Sequence, residues 1–463
     1  MKSSSGSSAG SAVDDAAARI LIKNATILTM SGGEDDLVRG DILIGRGKIE
    51  KIGLALECET AVRIDALGMI AIPGFQDTHR HSWEGQLRRL IPSGDLGDYT
   101  CATHGGYAQH YQPEDIYAGT ILTAYSAINS GITTILDYSH NSQSIEHCHA
   151  AIDALVASGI RAVYAAGAPS VKGSARTSCI WPDVVADLAR ARFGSSGCGL
   201  VDLRMAGTPQ TLHAGFFDLA RQLGIGVSID AVAGDESSGW IAQAGRRGWL
   251  GRDRTLIHCT GLTEAAWSII AETQTTVSLC PHADTQYAIG EPPLFHALKA
   301  GVRPSISVDD DMGLASDMWT QMRILSASYR QNFGLFERNP RGSANEARTL
   351  KAYDLLEFAT VQGARANGME ERCGTICAGM DADIVLIDGR DMNNMPLNNA
   401  YGSVVHGSDS HSVRTVIIGG VIRKHEGRLV GVDQSALYRE VIRSRDNLVE
   451  RLGVKIDPLD RTV

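Results

Sequence analysis

A chain of 463 residues is too long for one small core and long enough for a barrel with a smaller domain beside it. Its 43% hydrophobic and 21% charged residues are those of a soluble globular protein, and a formal net charge of -10 argues against nucleic acid or an anionic membrane as the partner. No apolar run approaches the roughly 20 residues of a membrane span, and the 9 cysteines are scattered without a Cys-x-x-Cys pair, which points to reduced thiols in a cytoplasm.

Residues 1–18 are rich in Ser, Gly and Ala and lack an apolar h-region. They read as a disordered tail and not as a secretory signal. Residues 19–72 read as short strands separated by turns, with apolar runs at Ile20-Leu21-Ile22 and Ile42-Leu43-Ile44 and a turn at Gly45-Arg46-Gly47. Such a unit is marginal alone and needs a partner. The matching segment lies at the other end, where residues 371–430 carry the run Ile384-Val385-Leu386-Ile387 and a hairpin turning at Gly419-Gly420.

Between them, residues 73–370 alternate strands with helices, the pattern of a parallel sheet. Strands are expected at 75–81, 132–137, 160–165, 200–205, 226–230, 255–258, 276–279 and 304–309, with helices at 116–130 and 147–158 among the connections. Eight such strands predict an α/β fold, a (β/α)8 TIM barrel with its active site at the C-terminal strand ends. Residues 431–463 form a C-terminal helical extension, in which Leu437, Val441, Ile442, Leu448 and Val449 fall near helical spacing. Whether that helix packs on the barrel or on a second subunit is open, and so is a homo-oligomer.

The strand ends carry the chemistry. Residues i and i+2 of a strand point to one side, so His79 and His81 can aim two imidazoles at one point, as a metal site needs. His258 stands at the tip of the sixth strand. Asp309 is the first acid after the eighth and is followed by Asp310 and Asp311. His140 follows the second strand and faces the same mouth.

The run Pro73-Gly74-Phe75-Gln76-Asp77-Thr78-His79-Arg80-His81 resembles the first-strand signature of the amidohydrolase superfamily, in particular its cytosine deaminase and chlorohydrolase branch. Gly379-Met380-Asp381-Ala382-Asp383 is similar to the Gly-Lys-x-Ala-Asp strand start of that family, with Met in place of Lys. The resemblance covers residues 19–430. It implies a composite β-sandwich built from 19–72 and 371–430, and one divalent metal held by His79, His81 and Asp309. It also implies that Asp309 takes the proton of the attacking water and that His258 contacts substrate and water. Trp83, Gln86, His140 and His282 are expected at the substrate, and Arg88 either pairs with a substrate anion or makes a structural salt bridge.

Strand five departs from the family pattern. Asp230 stands where the family has a His ligand, and Ala233 where its deaminases have a Glu. No histidine lies between His213 and His258 to replace the ligand. Zinc accepts carboxylate oxygen as well as imidazole nitrogen, so Asp230 is the candidate replacement. Zinc is the first expectation for the metal, with iron or manganese favoured by a harder ligand set. Asp235 or Glu236 is the candidate to stand in for the missing Glu. No lysine occurs at 200–205, which favours one metal over a bridged pair.

The implied activity is hydrolysis of a non-peptide C–N bond in a small cyclic or heteroaromatic compound by metal-activated water, in a cytoplasmic enzyme. The altered strand five leaves two alternatives open: a decarboxylase or lyase on the same barrel, or a metal-free binding protein.

Overall fold

The computed structural model describes residues 19–32, 36–169, 183–194, 197–336 and 350–459; the expected N-terminal tail lies outside them. The strands, in chain order, are β1 (Ile20–Leu28), β2 (Leu37–Gly45), β3 (Lys48–Gly53), β4 (Val62–Asp65), β5 (Met69–Pro73), β6 (Phe75–Arg80), β7 (Ile132–Ser139), β8 (Arg161–Gly167), β9 (Val201–Gly207), β10 (Val227–Asp230), β11 (Arg254–Ile257), β12 (Thr276–Leu279), β13 (Ser305–Ile306), β14 (Ile384–Asp388), β15 (Val413–Ile418), β16 (Val421–His425) and β17 (Arg428–Leu429). They form two sheets.

The first is the expected barrel. Strands β6 to β13 lie side by side in chain order, all parallel. Every residue of β6, β7 and β8 is buried, as strands covered on both faces require. The eighth strand is shorter than its sequence suggests, because β13 ends at Ile306. Beyond it a single bridge between Arg80 and Asp309 joins the last strand to the first. Asp309 donates its N–H to the His79 carbonyl (3.0 Å), and His81 donates its own to the Asp309 carbonyl (2.7 Å). The ring therefore closes through the backbone of candidate site residues.

The second sheet is mixed and draws on both chain ends. β5 pairs parallel with β1 and antiparallel with β14, so the N-terminal and C-terminal segments meet along β5 and β14. It encloses its own core, including Ile20, Ile42, Ile64, Ile384 and Ile417. The chain passes from this sheet to the barrel at Gly74, where a Cβ would lie 2.0 Å from Thr133 Oγ1; only glycine fits. Arg161, fully buried at the start of β8, ties the two sheets together through Asp383 (2.6 Å) and Asp381 (3.0 Å).

The C-terminal helix Gln434–Leu452 packs on the barrel. Leu448 is fully buried, and the Ser444 hydroxyl donates to Asp115 (2.7 Å) in the helix Pro113–Asn129.

Candidate metal centre and active site

The ends of β6 and β11 bring three histidines to Asp309. His79 Nε2 lies 3.2 Å and His81 Nε2 3.3 Å from its Oδ1, and His258 Nε2 lies 3.6 Å from its Oδ2. Asp230 Oδ1, from the end of β10, lies 3.7 Å from His258 Nε2. Three residues here hold the left-handed backbone conformation that non-glycine residues avoid: Asp309 (φ 81°), His258 (φ 63°) and Cys259 (φ 60°). Such strain persists only where the surrounding structure imposes it, and it gathers at functional sites.

The histidines are oriented as metal ligands are. His81 places Nδ1 3.1 Å from the Tyr138 carbonyl, which fixes the proton there and frees Nε2. His79 is fully buried, yet neither ring nitrogen has a hydrogen-bond partner; its approach to Asp309 has ion-pair distance without hydrogen-bond alignment. Asp230 Oδ1 is likewise buried and unpartnered. Buried nitrogen and oxygen atoms left without a hydrogen bond beside a carboxylate are donors that a divalent cation satisfies. Burial alone would raise the Asp309 carboxyl, but the facing histidines hold it well below the usual carboxylate range.

Behind the ligands stands a layer that sets their direction. His258 Nδ1 bonds Asp284 Oδ1 at 2.8 Å, leaving Nε2 to face Asp309 and Asp230. Burial pushes the Asp284 carboxyl up to about 6, opposed by His258. Asp310 accepts from the Tyr287 hydroxyl (2.8 Å) and the Met312 N–H (2.7 Å), and burial beside Asp309 raises it to about 7. Asp311 pairs with Arg80 (2.9 Å) and Arg88 (2.7 Å). The three consecutive acids are thus all buried, with three different tasks.

The four residues expected at the substrate take different places. His140 stacks on His81 with ring centroids 4.1 Å apart, and Trp83 Nε1 donates to His140 Nδ1 (3.2 Å). These two form a wall behind a candidate ligand. Gln86 donates instead to the Asp115 carbonyl (3.0 Å) and Ser444 Oγ (3.2 Å), bracing its turn on the C-terminal helix. His282 is half-buried and accepts from the Ala315 N–H (3.1 Å), a loop contact. Arg88 is the structural salt-bridge partner of Asp311. Ala233 is exposed, and so are Asp235 and Glu236 at the start of the helix Gly234–Arg246; Glu236 accepts from Gln210 (2.7 Å).

Sequence reasoning passed over Cys280, Asp284 and Glu84. Cys280 directly follows β12, so the strand-end rule that singled out His258 applies to it equally. Asp284 is one helical turn further on, in Pro281–Gln286. Glu84 lies in the turn Ser82–Leu87, fully buried, accepting from Tyr99 Oη (2.8 Å); burial raises its carboxyl well above the usual range.

Residues 70–423 match the model of the amidohydrolase family. A 5-methylthioadenosine/S-adenosylhomocysteine deaminase of Pelotomaculum thermopropionicum is 28% identical over 455 residues, covering 94% of this chain and 100% of that protein. A 5'-deoxyadenosine deaminase of Methanosarcina mazei is 26% identical, again covering 94% and 100%. Among solved structures, an adenosine deaminase from Xanthomonas campestris with bound zinc superposes with a TM-score of 0.78 at 20% identity, over 94% of this chain and 99% of that one. An atrazine chlorohydrolase from Arthrobacter aurescens complexed with zinc gives 0.77 at 19%, over 92% and 100%.

Proposed function

Because the chain belongs to the amidohydrolase family, metal-dependent hydrolases that act on non-peptide C–N bonds and include chlorohydrolases, we propose that it deaminates a 6-aminopurine nucleoside or a related amino-substituted heteroaromatic compound. The observation that carries this reading is the convergence of His79, His81, His258 and Asp309, with Asp284 fixing His258. The substrate class follows the deaminase relatives, which match over almost their whole length.

In this reading His79, His81 and Asp309 would hold the metal, zinc in preference to iron or manganese, and the Asp230 carboxylate of strand five and the Cys280 thiol after strand seven compete for the position left by the missing histidine. A divalent metal bound there makes hydroxide available near neutral pH. Asp309 accepts the water's proton, its carboxylate kept ionised by the facing histidines. His258 Nε2, turned towards the reacting centre, would steady the negative charge that passes to the substrate's ring nitrogen as the carbon is attacked; Asp284 keeps the ring from turning. Trp83 and His140 back His81 and exclude water from that side.

The exposed Ala233 favours a second reading, in which the leaving group is one that needs no Glu to protonate it, such as halide. A panel of 6-aminopurine nucleosides and amino- or chloro-triazines, followed for ammonia and chloride, separates the two. Ammonia release that is lost in His79→Ala together with the metal supports deamination. Turnover of none of these by metal-loaded protein would sink both substrate classes.

A further inference from the structure

We propose that Cys280 supplies the metal ligand that strand five no longer provides, as a thiolate. The inference rests on the metal-centre reading above and deepens it. Among the described residues, one ligand atom each from His79, His258, Cys280 and Asp309 lie within 4.8 Å of one another, and all four residues are buried. His81 and Asp230 both stand outside this set, but His81 Nε2 lies 3.3 Å from Asp309 Oδ1, whereas Asp230 has a side chain 21% exposed and reaches the group through its 3.7 Å approach to His258. The barrel explains the exchange. Strands are spaced about 4.8 Å apart, and each offers one residue at its C-terminal end. Losing the ligand from the fifth end leaves the others pointing inwards, and the seventh presents Cys280 immediately after β12.

The chemistry of the pocket suits sulfur. The Cys280 Sγ has Ser307 Oγ at 3.2 Å, and Ser307 also bonds the Leu279 carbonyl (3.0 Å) and Ser278 Oγ (2.9 Å). The single Ser307 hydroxyl proton, given to the Leu279 carbonyl when the sulfur is a thiol, can turn to a charged sulfur instead. One thiolate and the Asp309 carboxylate together carry two negative charges, balancing a divalent cation in a buried site without drawing in Asp230. Sulfur also narrows the metal: thiolate favours zinc over manganese, where a set of His and Asp alone would not. Asp230, with its side chain partly exposed, is then free to face the substrate.

The test replaces the native metal with Co(II) in the full-length protein. Visible d–d bands report that cobalt is bound, and a near-ultraviolet thiolate-to-cobalt charge-transfer band reports sulfur. The expected result is both signals in the parent, loss of the charge-transfer band in Cys280→Ser with the d–d bands retained, and persistence of both signals in Cys259→Ser and Asp230→Ala. Bound cobalt without a charge-transfer band in the parent overturns the thiolate ligand and leaves the metal centre intact; that result needs no variant to fold. A band that survives Cys280→Ser also overturns it. Failure of the parent to bind cobalt or zinc at all overturns the metal centre, and this inference with it.

Discussion

His258 is useful to a reaction only in one orientation, and Asp284 is what imposes it. The 2.8 Å bond to Nδ1 leaves Nε2 as the ring atom facing Asp309. Partners of this kind behind a site are typically worth about 10–100-fold in activity. Asp284→Asn is therefore expected to lower kcat by about that factor while metal content, measured by elemental analysis, stays at the parent level. A variant that turns over normally would mean that the ring is held by packing alone. Sequence inspection found His258 because it ends an apolar strand, but missed Asp284, whose acid sits in a short helix and is marked by nothing local. Asp230 was noticed for the opposite reason, since it stands where a histidine was expected.

At the level of elements, the join between the eighth and first strands is electrostatic as well as hydrogen-bonded. Arg80 is fully buried between Asp77 (3.2 Å) and Asp311 (2.9 Å), and Arg88 adds a second cation on Asp311. The two guanidinium groups hold the Asp311 carboxyl well below its usual range against the opposing effect of burial. Breaking a buried pair strands the remaining charge, a loss of about 3–5 kcal/mol. Asp311→Ala is expected to destabilise the fold by that order, read as a lower urea midpoint; an unchanged midpoint would show that Arg80 is satisfied by Asp77 alone. The turn Ser82–Leu87 is fastened in a similar way, by Gln86 on Asp115 and Ser444. Gln86 was expected at the substrate because it lies five residues past His81; its partner Ser444 is 358 residues away, beyond any local pattern.

For the whole molecule, the mixed sheet and the barrel meet through buried polar contacts. One is Lys424 on β16, which donates to the Asn129 carbonyl (2.6 Å) and the Ser410 carbonyl (3.3 Å). Burial pulls its ammonium down to about 8 from 10.5. Between those values the unfolded chain binds a proton that the folded chain does not, so stability rises with pH there. Below about pH 8 both forms are charged and folding bears the full desolvation cost. The parent is expected to gain on the order of 1–3 kcal/mol relative to Lys424→Met between pH 7 and pH 10, measured as the difference in urea midpoints. A constant difference across that range would mean that the amine titrates normally.

The architecture was legible because its signals are local. Alternating apolar runs and helical spacings mark strands and helices wherever they fall, and eight strands among helices admit few arrangements. The His79–His81 pair was legible for the same reason: two residues apart on a strand is one face, whatever surrounds it. Closure of the ring was another matter. It cut the eighth strand to Ser305–Ile306, placed Asp309 at a φ of 81° and turned its carboxylate to three histidines. In the closed barrel Cys280 and Asp284 lie at His258, and Gln86 turns to the C-terminal helix. Side-chain direction at a strand end depends on the backbone angles there, and those are imposed by neighbouring strands far away in the chain. Which residues are candidates is thus a property of short stretches of sequence, whereas which of them meet is a property of the closed barrel.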